Sequence, residues 1–415
     1  MKTSPVRGMC DRGISETFLR NEVLGKILDF YQRSGFFRIE TPAVEDAENI
    51  SRSEGGSNLN LIFEIMKRGD KLQKAIESGQ MLSDMALRYD LTLPLSRFYS
   101  ANASNLPMPF KVIQTGRVYR AERPQKGRLR EFVQCDIDII GDESPDCEIE
   151  LFLTSLNALH LLGFENLTLV INDKRILKHM FLSFGFDESD FETVCISLDK
   201  QDKIGIDGVA SELMEKSASL RTGNAQESIG KLISWLGSEE SGDLNCEATS
   251  QVSSQLRYVI EKLSALLPKG YGVSYSPVLV RGQSYYTGIV AEVVSQEFSS
   301  SIAGGGRYDG MIGKFLGRQV GAVGISIGFE RIMSILAEKG MRISGASRLA
   351  LFYNSDDDFG SVLKMKSALQ GEGYYVHVFR DVKSRKKLFD SVAEYGFDCY
   401  CDFKSGKVVG LKSST

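Results

Sequence analysis

The chain has 415 residues, which exceeds one typical hydrophobic core, so two or three domains are expected. Its 42% hydrophobic and 25% charged residues are typical of an ordinary globular protein. A formal net charge of −4 does not indicate a general nucleic-acid binder, so any RNA contact would need a local basic face.

The first predicted elements are a helix and several strands. Apolar residues recur at helical spacing over 16–34, and Gly35 ends this predicted helix. The segment 36–42 then predicts a strand that ends at its Thr-Pro pair. The next predicted elements are strands at 110–119 and 132–140 and a helix at 147–162.

The middle of the chain, about 165–267, is rich in helical patterns and is predicted to be an insertion between two halves of one sheet. Strands and segregated helices favour an α+β catalytic domain with an antiparallel sheet over 1–338, followed by a small α/β domain over 345–415. The other predicted elements are strands at 278–280, 288–294 and 320–327, a helix at 329–338, and a C-terminal βαβαβ pattern at 349–353, 359–371, 374–379, 385–395 and 397–402.

Cysteine and histidine usage argues against a metal site or disulfides. The seven cysteines lack zinc-ligand spacing, so reduced thiols are expected, and the three histidines are far apart. The N-terminus has no apolar signal core, and no apolar run approaches the ~20 residues of a membrane span. A cytoplasmic protein without a membrane partner is therefore expected.

A basic loop at 120–132 lies between two predicted strands. It carries five basic residues around a Pro/Gly turn, and arginine suits bidentate capture of phosphate or carboxylate. A solvated hairpin whose charges serve solubility is the alternative. Arg281 and Arg331 lie in separate glycine-rich segments, and three distant arginine sites favour a polyanion pocket such as one for ATP.

Asp90 and Thr92 are two residues apart, so they share a face if the chain is extended there. A carboxylate and a hydroxyl that converge in this way can hold an ammonium group. The alternative is that this Asp-x-Thr is only a helix-capping turn.

The predicted strand 132–140 alternates, so Gln134, Asp136 and Asp138 share one face. Polar groups on that face are costly in a core but suit the floor of a polar pocket. A face that is simply open to solvent is the alternative.

Three glycine-containing segments follow the predicted insertion. In 280–288, an arginine and a glycine precede two tyrosines, which combine close backbone approach with polar tips on an apolar wall. The run 303–310 is a glycine cluster followed by Arg and Asp, and as a bare pattern it indicates a flexible loop. The segment 321–331 predicts a glycine-punctuated strand that admits a flat ring or ribose, with Arg331 reaching a phosphate.

Taken together, these segments resemble the class II aminoacyl-tRNA synthetases, and the histidyl-tRNA synthetase family in particular, from about residue 7 to 338. The segment 36–42 is similar to motif 1, 120–132 to motif 2 and 324–331 to motif 3. The segments 280–288 and 304–309 are similar to the two motifs peculiar to the histidine enzymes. The resemblance implies a class II synthetase-like catalytic domain, an anticodon-binding-like C-terminal domain, a homodimer, and histidine, ATP, Mg²⁺ and tRNA as ligands.

The resemblance also implies roles for single residues. Arg120 and Arg281 would be catalytic, because both would contact the α-phosphate of ATP. Glu122 and Phe132 would seat the adenine, while Arg128 and Arg331 would hold the distal phosphates. The implied histidine-binding residues are Asp90, Thr92 and Gln134 at the ammonium and carboxylate, and Asp138 and Tyr286 at the imidazole with Tyr285 beside them.

Two departures from the family pattern keep alternatives open. Gln283-Ser284 stands where the family has Leu-Asp, and the C-terminal domain is short for an anticodon-binding module. One alternative is a synthetase-like regulatory subunit of ATP phosphoribosyltransferase that binds histidine but transfers nothing. Another is a paralogue that activates a different amino acid.

Overall fold

The structure is a computed structural model that describes residues 1–53, 56–124, 129–216, 224–236, 249–281, 285–295, 298–339, 347–380, 392 and 395–411. Its contacts divide the chain into two compact units. The first comprises residues 1–9 and 27–335, and the second comprises residues 10–26 and 336–415. No helix in the described part of the chain is long and apolar enough to cross a membrane.

An eight-stranded sheet forms the centre of the first unit. Its strand order is β1-β5-β6-β11-β10-β9-β7-β8, with antiparallel pairing throughout except at the two edges, where β1–β5 and β7–β8 are parallel. The predicted α+β class with an antiparallel sheet is confirmed. The strands are β1 (Phe37–Arg38), β5 (Phe110–Tyr119), β6 (Glu131–Ile140), β7 (Leu167–Asp173), β8 (Gly272–Tyr275), β9 (Ile289–Ser295), β10 (Phe298–Arg307) and β11 (Ala322–Gly328).

A second, three-stranded sheet in the first unit has the order β2-β4-β3 and is antiparallel. Helix α4 follows its central strand and packs against α11, so that a buried apolar cluster forms beside the large sheet. The strands of this sheet are β2 (Val44–Asp46), β3 (Glu64–Met66) and β4 (Ser83–Leu87). The helices up to residue 338 that lie outside the helix-rich middle are α1 (Ile14–Arg33), α2 (Ala47–Ser53), α3 (Gly69–Ser78), α4 (Thr92–Asn102), α5 (Asp146–Leu161), α11 (Asp309–Leu316) and α12 (Phe329–Glu338).

The helix-rich middle begins after β7, because β7 itself belongs to the large sheet. Phe181, Phe186, Phe191, Leu213 and Leu232 help to form a separate buried core within it. Trp235 packs against that core, as expected for a segment that buries its own apolar surface. The helices are α6 (Lys174–Ser183), α7 (Phe191–Leu198), α8 (Gln201–Lys216, broken at Gly205), α9 (Asn224–Leu236) and α10 (Ser250–Leu266).

The second unit contains a four-stranded sheet of order β13-β12-β14-β15. The first two pairings, β12–β13 and β12–β14, are parallel, as the predicted βαβαβ pattern requires, and an antiparallel strand β15 is added at the end. The second predicted helix, 385–395, lies largely outside the described residues. The elements are β12 (Arg348–Tyr353), α13 (Phe359–Gly371), β13 (Tyr375–Arg380), β14 (Cys399–Asp402) and β15 (Val408–Gly410).

Two strand predictions need correction. The segment 278–280 is not a strand, because the side chain of Asn172 takes the place of a strand partner: its Nδ2 donates to the carbonyl oxygens of Pro277 and Leu279 at 3.0 and 2.9 Å. The predicted strand 36–42 is reduced to Phe37–Arg38.

The glycine run 304–306 is a strand rather than the predicted flexible loop. It lies in β10, paired on both sides with β9 and β11. A Cβ at Gly305 would overlap the carbonyl oxygen of Gly324 and lie 2.6 Å from Ile325 Cα, while one at Gly306 would overlap the carbonyl oxygen of Ile289. Glycine is therefore needed for close backbone approach and not for mobility.

Gly305→Ala should lower the stability of the first unit. The added methyl group meets backbone atoms that cannot rotate away, and overpacking of this kind costs about 1–3 kcal/mol. The shift is measured as the urea midpoint of unfolding. Gly310→Ala is the matched control, because a Cβ there meets only Thr287 Cγ2 at 3.6 Å. Equal midpoints for the two variants would contradict the assignment of Gly305 as a packing requirement.

Candidate active site

The basic loop at 120–132 connects β5 and β6, which pair from Phe110–Ile140 to Tyr119–Glu131. The pairing continues into the loop, where the Arg120 N–H donates to the Arg130 carbonyl oxygen at 2.9 Å. Arg120 and Phe132 therefore lie at the same end of a rigid hairpin. Lys126 and Arg128 lie outside the described residues.

The Arg120 guanidinium lies between two aromatic rings. Its Cζ is 4.3 Å from the centroid of Tyr89 and 5.1 Å from that of Phe132, and its Nε donates to the Tyr89 carbonyl oxygen at 3.3 Å. Cation–π contacts hold the planar group while leaving its charge available to an anion.

A cavity of about 240 Å³ opens beside this hairpin. It is bordered by β6, β10 and the junction of β11 with α12, so three segments that are distant in sequence contribute to it together with Arg281. The predicted catalytic and ATP-binding residues Arg120, Glu122, Phe132, Arg281 and Arg331 all line it. Arg331 donates to the carbonyl oxygen of Ser301, and at 3.2 Å to its hydroxyl, which fixes the arginine to β10.

A second cavity of about 40 Å³ adjoins the first. Gln134, Arg281, Gly304 and Ser326 line both. The predicted histidine-binding residues Thr92, Gln134, Asp138, Tyr285 and Tyr286 line the smaller one. The two predicted residue sets thus form two neighbouring compartments, with Arg281 and Gln134 at their junction.

Asp90 caps a helix. Its Oδ1 accepts a hydrogen bond from the Leu93 N–H at 3.1 Å at the start of α4. Asp90 therefore forms the helix-capping turn that was the alternative prediction for this segment. Asp90 is nevertheless buried near the smaller cavity, since its charge raises the pKa of Asp138. Asp90 and Thr92 are therefore brought together by the first turn of a helix and not by a strand.

Three buried carboxyl groups crowd the smaller cavity. Burial raises the pKa of Asp138 to about 7, although the Tyr308 hydroxyl, which donates to its Oδ1 at 2.7 Å, opposes the shift. Burial and then the Asp138 charge raise the pKa of Asp136 well above its ordinary value. Burial also raises the pKa of Asp90. Such an arrangement favours a cationic ligand.

Several buried polar atoms at the cavities have no hydrogen-bond partner among the residues that the structure describes. They are Asp90 Oδ2, Gln134 Oε1, Asp136 Oδ1 and Arg281 Nε. Unsatisfied buried polar atoms cost about 1–3 kcal/mol each. The three oxygen atoms are acceptors and Arg281 Nε is a donor. A ligand that carries both an ammonium and an anionic group would satisfy both kinds of atom.

Arg281 is held in place by residues from two strands. It forms an ion pair with Glu292 of β9, and Glu292 pairs in register with Gly304 of β10. A Cβ at Gly304 would lie 2.7 Å from the Arg281 guanidinium carbon, so the arginine lies where a side chain would otherwise stand. Burial is the largest single influence and opposes the charge of Arg281, but Glu292 together with Tyr286 and Tyr285 outweighs it and raises the pKa of Arg281.

Sequence reasoning placed Asp136 on the floor of a possible polar pocket without giving it a ligand, and it did not assign Glu292 or Tyr308 to the site. Asp136 was visible in the alternation of β6, because it lies between two assigned residues. The other two act across strands, Glu292 on Arg281 and Tyr308 on Asp138, and their partners depend on a register that no local pattern reveals. Gln283-Ser284 lies outside the described residues, so the structure describes no role for this departure.

Comparison with known proteins gives a consistent result. A sequence model of the family "Histidyl-tRNA synthetase" matches residues 8–332. A histidine–tRNA ligase from Leifsonia xyli subsp. xyli is 39% identical over 95% of this chain and 94% of its own. A histidine–tRNA ligase from Aeropyrum pernix is 38% identical over 81% of this chain and 75% of its own.

Solved structures agree with the sequence matches. The histidyl-tRNA synthetase from Nostoc sp. PCC 7120 has a TM-score of 0.76 and 25% identity over 100% of this chain and 97% of its own. An ATP phosphoribosyltransferase regulatory subunit/histidyl-tRNA synthetase from Bacillus halodurans C has a TM-score of 0.74 at 18% identity, with 97% of each chain covered, and shares the fold. This chain belongs to the histidyl-tRNA synthetase family, and the resemblance predicted from its motifs is confirmed.

The raised pKa of Asp138 generates a prediction about stability. In the unfolded chain this carboxyl ionises near pH 4, but in the ligand-free fold it stays protonated up to about 7. Between pH 4 and 7 this carboxyl is protonated in the folded protein but ionised in the unfolded chain. The free energy of unfolding therefore falls as the pH rises towards 7.

Asp138→Asn removes this titration while keeping an acceptor for Tyr308. The variant should therefore gain stability relative to the parent protein between pH 5 and 8, by up to a few kcal/mol at about 1.4 kcal/mol per pKa unit. Urea midpoints at several pH values measure the difference. Parallel pH profiles for the two proteins would show that Asp138 is ionised throughout.

Proposed function

We propose that this member of the histidyl-tRNA synthetase family is a histidine–tRNA ligase that activates histidine with ATP and transfers it to tRNA. The observation that carries the proposal is the pair of adjoining cavities, one lined by arginines and one by buried carboxyl groups, with Arg281 and Gln134 in both. A phosphate-rich substrate and an amino acid would meet at that junction.

Histidine would occupy the smaller cavity. Asp138, oriented by Tyr308, would accept an N–H of the imidazole, and Tyr286 would contact the same ring, with Tyr285 beside it. Thr92, Gln134 and Asp90 would hold the α-ammonium and α-carboxylate at the other end. The histidine carboxylate would then point towards Arg281 and the larger cavity.

ATP would occupy the larger cavity. Phe132 and Glu122 would seat the adenine, and Arg331 would hold the distal phosphates. Arg120 and Arg281 would contact the α-phosphate from two sides of the junction. Arg128 would assist at the distal phosphates, although it lies outside the described residues.

The chemical step needs no strong base, because the attacking carboxylate is already ionised. One carboxylate oxygen attacks the α-phosphorus, the bond from phosphorus to the bridging oxygen breaks, and pyrophosphate leaves with its electron pair. Histidyl-adenylate remains, and its acyl group then passes to a tRNA hydroxyl with release of AMP. The protein contributes alignment and stabilisation of charge on the α-phosphate, which Arg120 and Arg281 would supply.

Mg²⁺ would accompany ATP. Within the described ranges no group of three or more His, Cys, Asp or Glu side chains could hold a metal ion, which fits an ion carried mainly by phosphate oxygens and water. Glu330 is in the cavity wall and could supply one carboxylate oxygen. The ion would neutralise phosphate charge during the reaction.

Transfer to tRNA extends the proposal beyond the cavities. Arg123 is exposed in the basic loop, where it would hold acceptor-end phosphates together with Lys126, which lies outside the described residues. We retain the predicted catalytic domain over 1–338, with its helix-rich insertion, and the short anticodon-binding-like domain over 345–415. A cytoplasmic setting also belongs to the proposal, as the six described cysteines are free thiols.

The two alternatives make different predictions about activation. A regulatory subunit would bind histidine without any exchange of pyrophosphate, and the relative that names such a subunit is only 18% identical. A paralogue would exchange pyrophosphate with another amino acid. Arg120, Arg281 and Arg331 all line the larger cavity, which favours activation of an amino acid with ATP over binding alone.

The proposed function is tested by ATP–pyrophosphate exchange across a panel of amino acids, followed by charging of tRNA. We expect exchange that depends on histidine and Mg²⁺, and transfer of radiolabelled histidine to tRNA. Histidine binding without exchange would favour the regulatory role, and exchange with a different amino acid would favour the paralogue.

Arg281→Ala should lower the rate of histidine activation by about 10²-fold or more with little change in histidine binding. A donor placed for developing charge typically contributes this much to a rate. Single-turnover adenylate formation and calorimetric histidine binding measure the two quantities. Arg97→Ala is a suitable control, because Arg97 pairs with Glu45 and lines neither cavity. Near-normal activation would mean that Arg281 is structural.

A homodimer is proposed as well. Exposed apolar side chains cluster on and beside the three-stranded sheet, including Met66 at 55%, Met81 at 63% and Met85 at 43% exposure. Isologous two-fold pairing is the commonest way to cover such a surface. We expect the mass of a dimer by light scattering at micromolar concentration, and dissociation by Met85→Asp but not by Ile76→Asp, on the neighbouring helix α3. A monomeric parent protein would refute this.

A further inference from the structure

We propose that Asp136 is a further substrate-binding residue, whose carboxylate accepts a hydrogen bond from the α-ammonium group of the bound amino acid. The inference rests on the proposed function, because it concerns the same cavity. Neither the motif reasoning nor the family resemblance assigned a role to this residue.

The strand register places Asp136 in the cavity floor. It lies on β6 between Gln134 and Asp138, and it pairs in register with Ser326 of β11 and Gln114 of β5. Side chains two residues apart on a strand share a face, so all three β6 residues point to one side. Asp136 is only 5% exposed and lines the smaller cavity.

The protein leaves one oxygen of this carboxylate unsatisfied. Asp136 Oδ1 has no hydrogen-bond partner in the part of the chain that the structure describes. Gln114, its cross-strand neighbour, is engaged elsewhere: Nε2 donates to the Leu91 carbonyl oxygen at 3.0 Å, and Oε1 accepts from Thr41 at 2.9 Å. Ser326 forms a side-chain hydrogen bond with the Asp136 carboxyl, but a donor from a ligand would still be needed to satisfy Oδ1.

The neighbours of Asp136 identify which end of the ligand it meets. Ser326 connects it to Gln134, since Gln134 Nε2 donates to the Ser326 hydroxyl at 3.3 Å, and both residues line the junction with the larger cavity. Asp138 is two residues further along and is engaged by Tyr308. Asp136 thus lies between the carboxylate end and the imidazole end, where the α-ammonium must be.

Charge also favours an ammonium group at this point. Burial and then the Asp138 charge raise the pKa of Asp136 well above its ordinary value, although the Ser326 hydrogen bond and the Arg120 charge oppose the shift. A cation brought by the ligand reverses this penalty. A neutral amide at the position would keep the shape but lose the attraction.

Ligands that differ in one group test the assignment. Histidine carries the ammonium and the carboxylate, histidinol lacks the carboxylate, and 3-(imidazol-4-yl)propanoate lacks the ammonium. Asp136→Asn should weaken histidine and histidinol about 10- to 100-fold, as expected for a hydrogen bond to a charged group, and should leave the propanoate unchanged. Calorimetry or competition against histidine measures all three.

Asp84→Asn is the matched control, because Asp84 is half-buried with an unsatisfied oxygen but lines neither cavity. Asp136→Ala should repeat the ligand-selective loss if the amide variant is poorly folded. If the parent protein activates histidine, the inference would be overturned by Asp136 variants that bind all three ligands equally more weakly, or that bind none of them more weakly. Failure of the parent protein to activate histidine would instead overturn the proposed function.

Discussion

The two adjoining cavities depend on the absence of two side chains in the middle of the large sheet. Gly304 of β10 leaves the space in which the Arg281 guanidinium lies, and Gly324 of β11 leaves the space for the Asp138 carboxylate. A Cβ at either position would overlap or crowd the charged group. Gly304 lines both cavities and Gly324 lines the smaller one.

The buried carboxyl groups illustrate a conflict between stability and function. Asp90, Asp136 and Asp138 have raised pKa values because burial disfavours their ionised forms, so the ligand-free fold bears a cost at neutral pH. A cationic ligand removes much of that cost when it binds. Under the proposed function, binding of such a ligand would explain why these buried positions are not apolar.

The sequence predicts the regular elements well where local patterns determine them. Strand β5 and helix α12 have the predicted bounds, because an apolar alternation and a glycine before a helical pattern define them locally. The glycine run in β10 was predicted wrongly, since glycine is depleted in strands and only its two neighbouring strands explain it. The cross-strand partners Glu292 and Tyr308 could not be predicted for the same reason, as they depend on register.

Arg281 and Arg120 are held by the protein in different ways. The ion pair with Glu292 fixes the direction of the Arg281 guanidinium. Arg120 lies between the rings of Tyr89 and Phe132, which orient it without cancelling its charge. In the proposed reaction a carboxylate and a phosphate repel each other, and two oriented guanidinium groups would bring them together with little reorganisation. Preorganisation of this kind lowers a barrier because the donors are already in place when charge develops on the phosphate.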